Sequence, residues 1–304
     1  VLMTPPHYAF VKISEGCDNH CSYCVIPRLR GRFRSRSIRS GAREMEMLSA
    51  DGRLKEVNLI GQDTTLFGMD RYGRAAFPEL LNRLCRLENS VRWIRILYTH
   101  PAHYSDELIS VIAGQPKICK YLDLPIQHIN DRLLRSMNRR TTKKKIVGLI
   151  SKLRARITGV CLRTSIIVGF PGETDSDFRE LLSFVRETKF EKLGAFVYSK
   201  EDGTRAASYA CQIPEEAKAE RLDELMRLQQ EISADANSSM IGRTVDVLVD
   251  EEEGEKGLFI GRTQSDAPEV DGAVYVRGRG IAVGDMCRVR LTDAMEYDLT
   301  GEVA

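Results

Sequence analysis

Long apolar runs are missing from this chain. Nowhere do hydrophobic residues approach the ~20 in succession that a membrane-crossing helix needs, so no membrane partner is expected. A cytoplasmic setting is expected from the three closely spaced cysteines near the start, which suit a reducing compartment. Cysteine is too sparse, at eight in 304 residues, to make a disulfide scaffold. Five of the eight, Cys85, Cys119, Cys161, Cys211 and Cys287, stand alone in strand-like or helical sequence and read as small buried hydrophobes. A beginning is lacking too. The opening "VLMTPPHYAF" has no basic segment, no apolar segment and no initiator methionine, so it reads as neither a leader nor a natural start, and a fragment of a longer protein is expected. Internal repeats and low-complexity tracts are absent as well.

Net charge is nearly lacking, at +2, but that figure conceals an asymmetry. Residues 241–304 carry 14 Asp and Glu against 7 Lys and Arg, a net of −7, which leaves +9 for residues 1–240. Two modules of opposite sign are expected, at 1–237 and 238–304.

In the first module, six strand-like runs alternate with helical patterns: Tyr8 to Ile13, Glu56 to Gln62, Val91 to Leu97, Lys120 to Ile126, Leu162 to Phe170 and Leu193 to Ser199. Alternation of this kind predicts parallel strands joined by crossover helices, an α/β fold. Six such units over about 190 residues suit a partial barrel better than a closed eight-stranded one, which takes ~250 residues. Helices are expected from Phe77, with Pro78 in the first turn, in "YSDELISVIAG", in "KKKIVGLISKLRARI", and in "TDSDFRELLSFVRETK" with Thr174 or Asp175 as its cap. A long amphipathic helix from Pro214 to about Met240 closes the module. Beyond it, short strands separated by turn clusters such as "EEEGEKG" predict a small five-stranded antiparallel barrel of the oligonucleotide-binding kind.

The residues that demand chemistry lie in "KISEGCDNHCSYCVIPRLRG", where Cys17, Cys21 and Cys24 follow the first strand with spacing C-x3-C-x2-C. A structural zinc wants four ligands, and only His20 or His128 is available to complete such a set. A [4Fe–4S] cluster has four irons, and three thiolates leave one iron open.

This loop resembles the signature of radical S-adenosylmethionine (SAM) enzymes, down to the aromatic Tyr23 before the last cysteine. The resemblance implies a partial (β/α)6 barrel, a cluster held by Cys17, Cys21 and Cys24, SAM chelated to the open iron, and an external electron donor. Strand ends then gain interest, because barrel active sites gather at the C-terminal ends of the strands. Gln62, Asp63 and Thr64 end the second strand and are candidates to face SAM or substrate, although capping of the next segment is an equal alternative. In "SIIVGFPGET" the resemblance points Ser165 toward the ribose and lets Gly169 admit a close approach. Arg139, with Arg140, is a candidate for the SAM carboxylate. Asp63 and His128 are the candidates for direct chemistry, ahead of His100 and His103.

More closely, the chain resembles the methylthiotransferases. "EGCDNHCSYCVIPRLRGRFRSR" follows their P-x2-R-G-x3-S-R pattern through Pro27, Arg30, Gly31, Ser35 and Arg36, and "GFPGET", "MNRR" and "YSKEDGT" occur in the family's order, ahead of a terminal TRAM barrel. "GQDTTLFG", "YTHP" and "QHIN" resemble the RimO-type branch, which modifies the β-carbon of an aspartate in a small-subunit ribosomal protein, rather than the branch that modifies tRNA adenosine. The acidic barrel agrees, since a barrel that grips RNA should be basic. A second cluster is expected on an N-terminal domain of such enzymes, so this chain should bind one cluster, cleave SAM and not complete sulfur insertion unaided. The seven arginines between Arg28 and Arg43, with no acid among them, read either as a solvated face or as an approach to ribosomal RNA or an anionic target loop. A zinc-stabilised, noncatalytic ribosome-binding module is the alternative of a different class.

Overall fold

The computed structural model describes residues 4–254 and 257–304. Residues Val1–Met3, at the expected non-natural start, and two residues of the "EEEGEKG" turn lie outside it.

Each predicted strand run of the first module forms a strand: β1 Tyr8–Lys12, β2 Glu56–Ile60, β3 Trp93–Ile96, β4 Ile118–Asp123, β5 Cys161–Val168 and β6 Lys192–Val197. They pair in chain order, all parallel, in one open six-stranded sheet. Alternate residues point to opposite faces. Val57, Leu59, Ile94, Ile96, Leu122, Leu162 and Ile166 form one fully buried face under the crossover helices. Each such side chain contributes ~1.5–3 kcal/mol by burial, which holds the layers together.

The helices begin where side-chain caps satisfy their first N–H groups. Ser105 caps Asp106–Gly114, Thr142 caps Lys143–Arg156, and Thr174, rather than Asp175, caps Asp175–Thr188 in a reciprocal pair with Asp177. A helix over Ile38–Leu48, capped by Ser37, carries Arg39 and Arg43 out of the arginine-rich segment. The long closing helix runs from Glu215 to Ser238 after Pro214.

The second module is a closed five-stranded barrel of β7 Thr244–Glu252, β8 Leu258–Arg262, β9 Val274–Arg277, β10 Met286–Ala294 and β11 Leu299–Val303, filled by Val247, Val249, Val274, Val276, Val289 and Leu291. The expectation of a wholly antiparallel barrel needs correction at one seam. β9 and β11 pair in parallel, because closure brings together two strands that both run the same way. Cys211 also departs from the buried-hydrophobe reading: it is exposed with φ +59°.

The barrel's 263–271 loop lies against the sheet's other face. The Arg95 guanidinium donates to the Gln264 carbonyl at 2.7 Å, Tyr121 donates to Asp271 at 2.7 Å, and Lys192 meets Asp266 at 2.8 Å. A buried charge network ties the modules: Glu56 accepts from both Arg95 and Arg262 at 2.7 Å, and Arg262 also grips Asp250 at 2.7 and 3.0 Å.

Candidate cluster and cofactor site

The three cysteines lie on the loop leaving β1, at the C-terminal edge of the sheet. Each is half-buried. The loop turns on Gly16, whose φ is +79° and whose absent Cβ would sit 2.2 Å from the Arg32 carbonyl oxygen; no other residue fits there. Gln62, just past β2, accepts the Gly16 N–H at 2.7 Å. Asn19 donates its backbone N–H to the Cys17 sulfur at 3.5 Å and its side-chain amide to Asp63 at 2.7 Å. On the opposite side, Ser22 donates its N–H to the Met137 carbonyl at 3.0 Å and its hydroxyl to the Ser136 carbonyl at 2.8 Å. The loop is therefore fixed from two directions before anything binds it.

Its electrostatics suit a metal centre. Burial pushes the Cys17 thiol up to about 11, against a partial offset from the Asn19 N–H, and burial raises Cys24 as well. Such thiols stay protonated at neutral pH until a metal displaces the proton. The buried Arg139 reaches the Cys21 sulfur at 3.9 Å, and its second nitrogen donates to the Pro125 carbonyl. Neither histidine completes a zinc set. His20 is exposed, and His128 is fully enclosed, with Nδ1 accepting the Asn130 N–H at 3.0 Å and Nε2 lying 3.4 Å from Glu173. Three thiols with no fourth protein ligand among the described residues fit a cluster with one open iron, and Cys17, Cys21 and Cys24 are the residues that would hold it.

The other expected site residues fall into two groups. Gln62 and Asp63 have protein partners: Asp63 accepts from Asn19, from Thr65 at 2.5 Å and, at 2.9 Å, meets Nδ1 of His103. Thr64 donates its hydroxyl to the Leu97 carbonyl at 2.8 Å. His128, with no exposed surface, leaves no face of its ring open to a substrate. At Gly169, φ +72°, the missing Cβ faces Lys218 at 2.3 Å, so the glycine admits the closing helix. Tyr23 packs edge-on against Phe170, and burial holds its phenol well above the ordinary range. Ser165 shares the inner strand face with Arg163, whose guanidinium lies 3.4 Å from its hydroxyl.

Sequence reading missed the convergence of Asp63, His100 and His103, whose donor atoms lie within 4.8 Å of one another. They do not make a metal site. The two imidazoles stack at 4.6 Å and 25°, so their in-plane lone pairs cannot converge on one ion, and His100 Nδ1 already accepts the Ala102 N–H at 3.2 Å. Burial, with the nearby Arg139 charge, pushes His100 down to about 2, which keeps it neutral. Burial opposes ionisation of Asp63, but hydrogen bonding and charge from His103 outweigh it and hold the carboxyl below its ordinary value. Only His103 retains an open edge. Tyr98, at the end of β3, is also open: it is 51% exposed at φ +56° beside the site, held by the Asp123 carboxylate on its N–H at 2.9 Å.

Comparison with known proteins follows this geometry. Residues 11–185 match the model of the radical SAM superfamily, and residues 241–304 match that of the TRAM domain. The chain belongs to the radical SAM superfamily. Within it, the chain is 50% identical over 302 residues to a protein of Heliobacterium modesticaldum named ribosomal protein uS12 methylthiotransferase RimO, covering 99% of this chain and 65% of that protein. It is 46% identical to the protein of the same name from Desulfitobacterium hafniense, covering 100% and 68%. It thus falls in the RimO family and spans about two thirds of those relatives' length. Among solved structures, coproporphyrinogen III oxidase from Escherichia coli, a radical SAM enzyme, superposes with TM-score 0.54 at 14% identity, covering 86% of this chain and 68% of that one. The methyltransferase TsrM from Kitasatospora setae, a radical SAM enzyme solved with cobalamin and a [4Fe–4S] cluster, gives 0.52 at 21% identity, covering 62% and 36%. These likenesses establish the fold; the cluster loop of this radical SAM chain is read from its own residues.

Proposed function

We propose that this chain is the radical SAM core, residues 1–237, and TRAM barrel, residues 238–304, of a methylthiotransferase acting on the β-carbon of an aspartate in a small-subunit ribosomal protein. The observation that carries the reading is the loop of three half-buried cysteines, preformed at the C-terminal edge of the sheet with no fourth protein ligand among the described residues. When bound there, a [4Fe–4S] cluster and SAM supply a 5′-deoxyadenosyl radical, the class of oxidant needed to take hydrogen from an unactivated carbon. The chain's own residues prepare that chemistry. Asn19 and Gln62 hold the loop, Arg139 sets a fixed cation beside Cys21, and Tyr23 and Phe170 wall the loop from solvent. Ser165 and His103 offer polar edges for orienting SAM or the target side chain.

The choice of a protein substrate rests on the relatives' name and on charge. Glu251, Glu252, Glu253, Asp285, Asp293 and Glu296 stand exposed on the barrel, which repels phosphate and attracts a basic ribosomal protein. We further assign one cluster to this chain, an external one-electron donor, a cytoplasmic setting and proximity to ribosomal RNA at the site of modification. Among the described residues no helix is long and apolar enough to cross a membrane. Mass spectrometry of the ribosomal protein from cells lacking the gene tests the reading: loss of a methylthio group on one aspartate is expected. An unchanged ribosomal protein together with loss of methylthioadenosine from tRNA overturns it.

A further inference from the structure

The arginine-rich segment after the cysteines is not used by the site. The structure divides it among a short helix, Ile26–Arg30, a two-residue ribbon, Ser14–Glu15 with Arg34–Ser35, and the Ile38–Leu48 helix. Arg32 and Arg30 face the acids Asp18 and Glu15 at 3.5 and 3.7 Å, and Arg36 is engaged by Glu44. Arg34, Arg39 and Arg43 are exposed and form no ion pair among the described residues. The last two lie one turn apart on the helix, ~6 Å along its axis. They line a groove of about 570 Å³ with Ile38, Arg83, the partly exposed Tyr72 and two acids, Glu46 and Glu79. A second hollow shares Arg83 and adds Arg74 and Arg86. Glu46 and Glu79 occupy Arg83 and Arg74, so the cations free to take an outside partner are Arg34, Arg39, Arg43 and Arg86.

We infer that the face built by Arg34, Arg39 and Arg43 binds the phosphate backbone of a structured RNA, while the acidic barrel leaves RNA alone. Three features favour this occupant. Every cation of the 28–43 segment is Arg and none is Lys, and the planar guanidinium meets phosphate bidentately. Tyr72 adds an aromatic surface of the kind on which bases stack. The opposite charges of the two modules suit the two components of a ribonucleoprotein, a basic protein and its RNA. This deepens the functional reading and takes its ribosomal setting from it, but RNA binding is measured without turnover.

The test is fluorescence anisotropy of the whole chain with a labelled 20-base-pair RNA hairpin across a potassium chloride series. Affinity should fall with salt at a log–log slope of roughly −0.9 for each phosphate neutralised. Replacing both helix arginines, R39E/R43E, should weaken binding at least about tenfold and make the slope shallower by about two; R39Q/R43Q should give the same slope change with less repulsion. The control K144E/K145E, on exposed lysines of the Lys143–Arg156 helix, should leave binding unchanged. No binding by the parent chain, equal loss in the control, or binding of polyglutamate in place of RNA overturns the inference. Circular dichroism confirms that each variant is folded. SAM cleavage by the same proteins separates the two readings: a chain that binds RNA but never cleaves SAM refutes the function alone, and one that cleaves SAM but ignores RNA refutes this inference alone.

Discussion

Asn19 is the residue through which the cluster loop hangs on β2, since its amide reaches the buried Asp63 carboxylate. Asn19→Ala removes one hydrogen bond to the Asp63 carboxylate, whose oxygens keep His103 and Thr65, a loss of ~1.5–3 kcal/mol for a bond to a charged group, and it should lower iron uptake by the chain more than it lowers helix content. Iron content and circular dichroism of the reconstituted variant check this. His100 gives a pH signature. Its folded-state value of about 2 lies below the ordinary 6.5, so the unfolded chain binds the extra proton. The associated stability is complete above about pH 6.5 and is lost as pH falls below it, by up to about 1.4 kcal/mol per pH unit. Urea unfolding at pH 7.5 and 5.5 should show that loss, and His100→Asn, which accepts the same N–H without taking a proton, should flatten it. None of this was legible in the sequence. Asp63 and His103 are 40 positions apart, and only the side-by-side pairing of β2 and β3 brings their loops together. The cysteines were legible because their ligand spacing is local.

At the scale of elements, pattern and caps placed the six core strands and the helices that cover them, because a parallel sheet buried on one face by helices writes itself as apolar runs between helical periods. Thr174 is the clearest case: of the two caps expected, Thr174 or Asp175, the first takes the role, and the structure adds a reciprocal bond in which Asp177 accepts the Thr174 N–H at 2.8 Å. Thr174→Ala should cost ~1 kcal/mol in thermal or urea unfolding without altering cluster binding. The barrel seam was not legible. Whether β9 meets β11 in parallel depends on closure of the whole barrel, and neither strand's own sequence states its partner. Helix formation in the arginine-rich stretch was equally hidden, since charge dominates its local pattern and the apolar Ile38, Ala42 and Met45 appear as a face only once the helix is drawn.

Over the whole molecule, the two modules are joined by charge as much as by apolar contact. Glu56 and Arg262 lie 206 positions apart in the chain and are almost wholly buried, with Asp250 and Arg95 completing the set. Arg262→Ala leaves the buried Glu56 with Arg95 alone and Asp250 with His7 alone, and should destabilise the protein by about 3 kcal/mol, read as a lowered urea midpoint. The 263–271 loop beside this network also places Asp271 3.6 Å from Arg163, and Arg163 meets Asp123 at 3.0 Å, so the barrel helps brace the inner strand face on which Ser165 sits. The most direct test of the central claim is SAM cleavage by the chain after anaerobic reconstitution with iron and sulfide. The account predicts a brown protein with about four irons per chain that forms 5′-deoxyadenosine once dithionite reduces it, and no such product from Cys17→Ala, Cys21→Ala or Cys24→Ala. A colourless chain holding one zinc, or undiminished 5′-deoxyadenosine from any of the three variants, would contradict it.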